Sequence, residues 1–190
     1  MSKEENEKNI FIETLTWICG KLQTAGIPYM ITGGSAVGFW GHIRTTMDID
    51  IIIQISAKKI DNFLQSISGD AYVDSEDDHK NAFSKKIFKI ILHKTAFKID
   101  IIVLDEQNGY EKQKFNNRIK MIFQEQEIYV ISPEDLIISK LMWGKSIGGS
   151  ERQIKDCESI YALNRETINI EYIKKWTNVL RIHDELNKIM

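Results

Sequence analysis

Two aspartates stand one residue apart, Asp48-Ile49-Asp50, at the head of a run that continues Ile51-Ile52-Ile53. A strand alternates its side chains, so residues i and i+2 share a face and both carboxylates would point the same way. Aspartate is depleted in strands, and two carboxylates side by side repel unless something positive sits between them. A divalent cation is the obvious candidate. Further along, Lys98-Ile99-Asp100-Ile101-Ile102 repeats the anomaly of an aspartate inside an apolar strand, costly unless the carboxylate is paired or bound to metal. If the two strands are neighbours, three carboxylates meet in one place. Hard oxygen ligands of this kind suit Mg²⁺, which takes a few carboxylates together with substrate phosphates. Two such ions would clamp the attacking and leaving oxygens of a phosphoryl displacement, and Asp100 could also take the proton of an attacking hydroxyl. The plainer alternatives are a solvent-exposed first turn of strand for Asp48 and Asp50, and a structural partnership with a lysine such as Lys98 for Asp100.

Gly33-Gly34-Ser35 lies just ahead of the paired aspartates and opens what reads as a short helix. Backbone N–H groups at such a start make a natural cradle for phosphate. Paired glycines alone signal only a turn; their position gives them meaning here. His42 and His79 have no neighbours at metal-ligand spacing and read as surface residues, or as residues that support the ligands, rather than as ligands themselves, while Phe39, Trp40 and Trp143 read as core. Lys140 falls on an apolar helix face, where a lysine commonly lays down its stem and keeps its ammonium in water.

The elements that must position these groups follow from periodicity and breakers. Residues 4–25 carry Ile10, Leu15, Ile18 and Leu22 at helical spacing, and Gly26 and Pro28 stop that helix. Strand, short helix and strand follow over Pro28–Thr32, Ser35–Trp40 and Met47–Ile55, then a helix over Ser56–Ile67 with Ser56 as its cap. Ser68–Lys86 turns polar, with SEDDHKN as a solvated loop. Ile87–Leu92 and Phe97–Leu104, joined by four residues, predict an antiparallel hairpin. Asp105–Phe115 reads as a loop around Asn108-Gly109, and Arg118–Phe123 and Glu127–Ile131 as strands joined by a polar turn. Ser132-Pro133-Glu134-Asp135 is a strong helix start, with a cap, proline at the first position and acids in the first turn. That helix breaks near Gly144 or at Gly148-Gly149, another covers Ser150–Leu163, and the remainder reads as helical.

A composition of 43% apolar and 27% charged residues is ordinary for a globular chain. A net charge of −2 means that any basic groove must be local. The polar opening MSKEENEKN lacks a signal-peptide core, and no run approaches the roughly 20 apolar residues of a membrane span, so a cytoplasmic location is expected. Cys19 and Cys157 are isolated and predict neither a disulfide framework nor a zinc site.

A glycine–serine pair, twelve intervening residues, Asp48-x-Asp50 and a third aspartate after a hairpin together resemble the DNA polymerase β-type nucleotidyltransferase superfamily. GGSAVGFWGHIRTTMDIDI resembles its minimal bacterial branch, which holds AbiEii-type toxin and aminoglycoside nucleotidyltransferases. PEDLIISKLMW, followed by Arg152 and Lys155-Asp156, resembles the P-x-D-L-x-x-x-K-L … R-x-x-K-D segment common there, although SIGGSE ahead of Arg152 loosens the register. The resemblance spans most of residues 30–160. It implies an α/β (α+β) nucleotidyltransferase fold, with a small mixed sheet flanked by helices over residues 1–131 and a C-terminal helical segment over 132–190 packed on that core. It also implies an Mg²⁺-dependent transfer using two ions held by Asp48, Asp50 and Asp100. Gly33, Gly34 and Ser35 would bind the β- and γ-phosphates of an NTP, Arg44 and Thr46 would brace the R-x-T-x-D-x-D lead-in or reach phosphate, and Lys140 would face the triphosphate. Arg152 and Asp156 match the second half of the tail motif as further substrate-binding candidates.

The expected function is therefore transfer of an NMP from an NTP to a hydroxyl acceptor, with release of pyrophosphate. A toxin-like acceptor, tRNA or protein, is favoured on family analogy, together with a possible cognate antitoxin. Antibiotic modification, a catalytically inactive nucleotide- or partner-binding module and a metal-dependent phosphohydrolase are the alternatives. No residue in the sequence identifies the acceptor.

Overall fold

The computed structural model describes residues 3–43, 46–74 and 87–189. In chain order the elements are α1 (Lys3–Thr24), β1 (Tyr29–Thr32), α2 (Gly33–Trp40), β2 (Asp48–Ile53), α3 (Ala57–Ile67), β3 (Ala71–Asp74), β4 (Ile87–Leu92) and β5 (Lys98–Val103). They continue with α4 (Gly109–Asn116), β6 (Ile119–Phe123), β7 (Gln126–Val130), α5 (Pro133–Ser146), α6 (Glu151–Leu163), α7 (Ile170–Val179) and the single turn α8 (His183–Leu186).

The strands form one mixed sheet in the order β3-β4-β5-β2-β1-β7-β6. Its centre carries the three aspartates. β2 runs parallel to β5 and antiparallel to β1, while β5 pairs antiparallel with β4. Ile49, Ile51 and Ile53 of β2, Ile99, Ile101 and Val103 of β5, and Phe88, Ile90 and Leu92 of β4 are all buried. Their alternation hands the other face of β2 and β5 to Asp48, Asp50, Lys98 and Asp100, all part-exposed. A one-residue slip of either strand would drive carboxylates into the isoleucine layer, so the register is strongly specified.

The helix starts follow capping chemistry. Ser132 accepts a hydrogen bond from the Asp135 N–H at 3.1 Å with Pro133 as the first helical residue, and Ser150 and Asn169 cap α6 and α7 in the same way. Ser56 precedes α3 in extended conformation but makes no side-chain capping bond, contrary to expectation. Gln124 and Glu125 both have positive φ, 48° and 63°, which joins β6 to β7 through a two-residue turn matching the sheet's twist.

Three further expectations need correction. Residues 109–116 form a helix rather than a loop, because Asn108 caps it through the N–H groups of Tyr110 and Glu111 while Tyr110 and Phe115 are buried. The polar segment after Ser68 contains β3, which pairs with β4. Trp143 is 59% exposed and not core, whereas Phe39 and Trp40 pack against the core as expected. SEDDHKN, including His79, lies outside the described residues.

The helices after Ile131 are tied together through Asp135, which is fully buried. It accepts hydrogen bonds from Tyr172 Oη at 2.9 Å, Asn117 Nδ2 at 3.1 Å and Ser132 Oγ at 3.0 Å, linking α4, α5 and α7. Among the described residues no helix is long and apolar enough to cross a membrane. Cys19 and Cys157 are buried and free.

Candidate active site

The site is assembled where β1 passes directly into α2. Thr32 is the last residue of β1 and lies opposite Asp50 in the antiparallel register. Gly33 then turns the chain with φ of +60°, and a Cβ there would fall 1.9 Å from Asp50 Oδ2 and 2.7 Å from Asp50 Cβ. Only glycine combines that backbone conformation with so close an approach. The turn brings the Gly34 N–H to 3.1 Å from Asp50 Oδ2. Ser35, 3% exposed, accepts a hydrogen bond from the Asp50 N–H at 3.2 Å. The glycine–serine start thus does mechanical work: its N–H and hydroxyl lock the helix to the aspartate strand.

Asp50 and Asp100 lie directly opposite one another on β2 and β5, and Asp48 lies opposite Lys98. Since paired residues on adjacent strands project to the same side, all four groups crowd one patch. Lys98 Nζ stands 2.9 Å from Asp100 Oδ2 and 3.5 Å from Asp48 Oδ2. Its hydrogen bond to Asp100 and the two negative charges raise its pKa further, against a smaller opposing effect of burial. The plain alternative for Asp100, a lysine partnership, is therefore physically present, and it involves Asp48 as well. Asp100 Oδ1 is nonetheless buried and accepts no hydrogen bond among the described residues. Burial raises the Asp50 pKa, as do the charges of Asp48 and Asp100; the Gly34 N–H and the charge of Lys140 oppose the rise. Thr46 Oγ1 lies 3.0 Å from Asp48 O and 3.2 Å from Asp48 Oδ1, so it braces the lead-in to β2. Arg44 falls outside the described residues.

The tail contributes through Lys140 and Asp156. Their side chains are 6% and 1% exposed and meet at 2.7 Å, joining α5 to α6. Lys140 also donates to Gln153 Oε1 at 3.2 Å. His42 completes the cluster from the chain after α2, with Nε2 3.7 Å from Asp156 Oδ1 and Nδ1 2.9 Å from Ser159 Oγ. Lys140 and Asp156 thus form a buried pair and Lys140 bears electrostatically on Asp50, whereas Arg152 is exposed. Sequence reasoning missed Gln153, Ser159 and His42 as members of this group. Their contacts join residues far apart in the chain, and no local pattern announces them.

Among the described residues, no group of three or more His, Cys, Asp or Glu side chains stands ready-made to hold a metal ion; the Lys98 ammonium lies between two of the carboxylates. The donor set is still of the right chemistry. Carboxylate oxygens on Asp48, Asp50 and Asp100 are hard ligands, Asp100 Oδ1 is a buried acceptor without a donor, and Asp50 carries charge that its surroundings disfavour. Each of these features would be relieved by a cation.

The chain resembles several solved structures. An antigenic nucleotidyltransferase-like protein from Paracoccidioides brasiliensis matches with a TM-score of 0.61 and 18% identity, over 100% of this chain and 94% of that one. ANT(2")-Ia in complex with adenylyl-2"-tobramycin matches with a TM-score of 0.62 and 12% identity, over 90% and 96%. The lincosamide antibiotic adenylyltransferase LnuA with lincomycin bound matches with a TM-score of 0.56 and 14% identity, over 80% and 96%. At these identities the likeness establishes the fold, a nucleotidyltransferase fold. No curated protein matches the chain in sequence. A family model described as a nucleotidyltransferase of unknown function, DUF6036, matches residues 12–187, and the chain belongs to that family.

Proposed function

We propose that this chain transfers a nucleoside monophosphate from an NTP to a hydroxyl acceptor and releases pyrophosphate, using Mg²⁺ held by Asp48, Asp50 and Asp100. The observation that carries the reading is the pairing of Asp50 with Asp100 across β2 and β5, with Asp48 two residues away on the same face. Bound there, Mg²⁺ would neutralise charge on the transferring phosphoryl group and lower the cost of the in-line displacement. The chain's own groups do the rest. The start of α2 anchors Asp50 through Gly34 and Ser35 and presents its helix end toward the nucleotide phosphates. The charge of Lys140 bears on Asp50, and Asp100 would take the acceptor's proton.

An acceptor of the toxin-like kind, tRNA or protein, is the first reading, on the tail motif and family analogy. Modification of a small antibiotic is the second. Two neighbours favour it, because one carries an adenylylated tobramycin and the other lincomycin. The test is incubation with each α-labelled NTP and Mg²⁺, in separate pools of total tRNA, cell protein, aminoglycosides and lincosamides. Label entering one pool, and lost in Asp48→Ala, names the acceptor. If every pool stays unlabelled and Asp48→Ala binds Mg²⁺-NTP as the parent does, the reading fails.

A further inference from the structure

Among the described residues two lysines neighbour the carboxylate patch: Lys89 lies opposite Asp100 across β4 and β5, and Lys98 bridges two of the carboxylates. Lys98 reaches Asp48 Oδ2 and Asp100 Oδ2 together, at 3.5 and 2.9 Å, so it bridges one oxygen from each of two strands, as a divalent ion would. It is positioned to do so twice over. It pairs with Asp48 across β2 and β5, and it shares a face with Asp100 two residues along β5. Like-charged carboxylates this close repel, and without a counter-ion their repulsion would strain the β2–β5 pairing. At 36% exposure the Lys98 side chain is only partly enclosed, and its flexible stem can withdraw the ammonium toward solvent. Asp100 Oδ1 stays buried and unbonded even with Lys98 in place, so the lysine leaves unmet demand for positive charge.

We infer that Lys98 is a built-in counter-ion for the site: it occupies the cation position between Asp48 and Asp100 in the metal-free protein, and a divalent ion binds by displacing it. This inference rests on the proposed metal-binding role of these aspartates. Lys98 is a positioning residue under this view, and its ammonium, once displaced, is free to meet the phosphates that arrive with the ion.

The consequence is competition, and it is measured without turnover. Mn²⁺ binding by electron paramagnetic resonance, on the full chain without nucleotide, is compared for the parent, Lys98→Met, Lys98→Gln and Lys98→Arg. Both neutral variants are expected to bind Mn²⁺ roughly tenfold more tightly (about 1.4 kcal/mol at 25 °C), whereas Lys98→Arg, which keeps the charge, binds no more tightly than the parent. The neutral variants should also melt below the parent in EDTA and gain more in Tm from added Mn²⁺, which separates lost counter-ion from simple misfolding. If the parent binds Mn²⁺ but the neutral variants bind equally or more weakly, the displacement inference is overturned while the metal reading stands. If Asp48→Ala binds as the parent does, or no protein binds at all, the metal reading falls and takes this inference with it.

Discussion

Asp50 and Asp100 face each other across two parallel strands, on the side opposite the buried isoleucines of both, and Gly34 donates its N–H to Asp50. The pairing is expensive without a cation and useful with one. Either aspartate replaced by asparagine keeps the shape and removes a ligand charge. Asp50→Asn and Asp100→Asn are therefore each expected to lower NMP transfer by on the order of 10²–10³-fold, read as label transfer per minute once the acceptor is known. Circular dichroism spectra should match the parent's.

The same charge has a pH signature in stability. Burial and the neighbouring Asp48 charge raise the Asp50 pKa, so the folded protein takes up a proton at higher pH than the unfolded chain. Stability then falls as pH rises from the ordinary aspartate range through the raised value, and ionised Asp50 weighs against folding at neutral pH. In EDTA, Asp50→Asn should melt above the parent at pH 7.5, and the difference should close near pH ~3, where both side chains are neutral. A parent melting above Asp50→Asn in EDTA at pH 7.5 would reverse the sign and refute the argument.

Gly33 tests the turn. Alanine would sit at φ of +60° with its Cβ 2.7 Å from Asp50 Cβ, an atom that cannot swing aside. We expect Gly33→Ala to cost about 2–4 kcal/mol in urea unfolding, a sum of left-handed strain and overpacking. Gly26, also at positive φ but with nothing within 4 Å of a Cβ, is the control. Gly26→Ala should cost only the conformational part, about 1 kcal/mol.

The aspartates were readable in the sequence because alternation leaves a carboxylate inside an isoleucine run no ordinary place to go. Spacing then put Asp48 and Asp50 on one face, and the hairpin over residues 87–104 supplied a neighbouring strand for Asp100. The bridging of Asp48 by Lys98 was hidden, because it depends on a parallel register that no local pattern encodes. His42 on Ser159 and Asp156 was hidden for the same reason, with 117 residues between His42 and Ser159. α4 was masked by its polar composition: KQK and glutamate read as loop, and only the burial of Tyr110 and Phe115 makes it a helix. Lys140 read either as a lysine extending to solvent or, by resemblance, as one facing the triphosphate; its ammonium is buried, because Asp156 arrives from α6 to meet it.

That buried pair makes the last prediction. Lys140 and Asp156 are each less than a tenth exposed, so removing Lys140 alone breaks a buried pair from one side and leaves the Asp156 carboxylate with His42 Nε2 3.7 Å away. Breaking a buried pair from one side costs about 3–5 kcal/mol, whereas replacing both members with apolar residues is often neutral. Lys140→Met should therefore unfold about 3 kcal/mol sooner in urea, at the low end of that range because His42 stays nearby. Lys140→Met combined with Asp156→Leu should recover most of that loss. Activity should not follow stability. If Lys140 serves the nucleotide as well as the fold, the stable double variant remains impaired in Mg²⁺-NTP binding, measured by calorimetry. A double variant that is both stable and normal in NTP binding would reduce Lys140 to a structural residue.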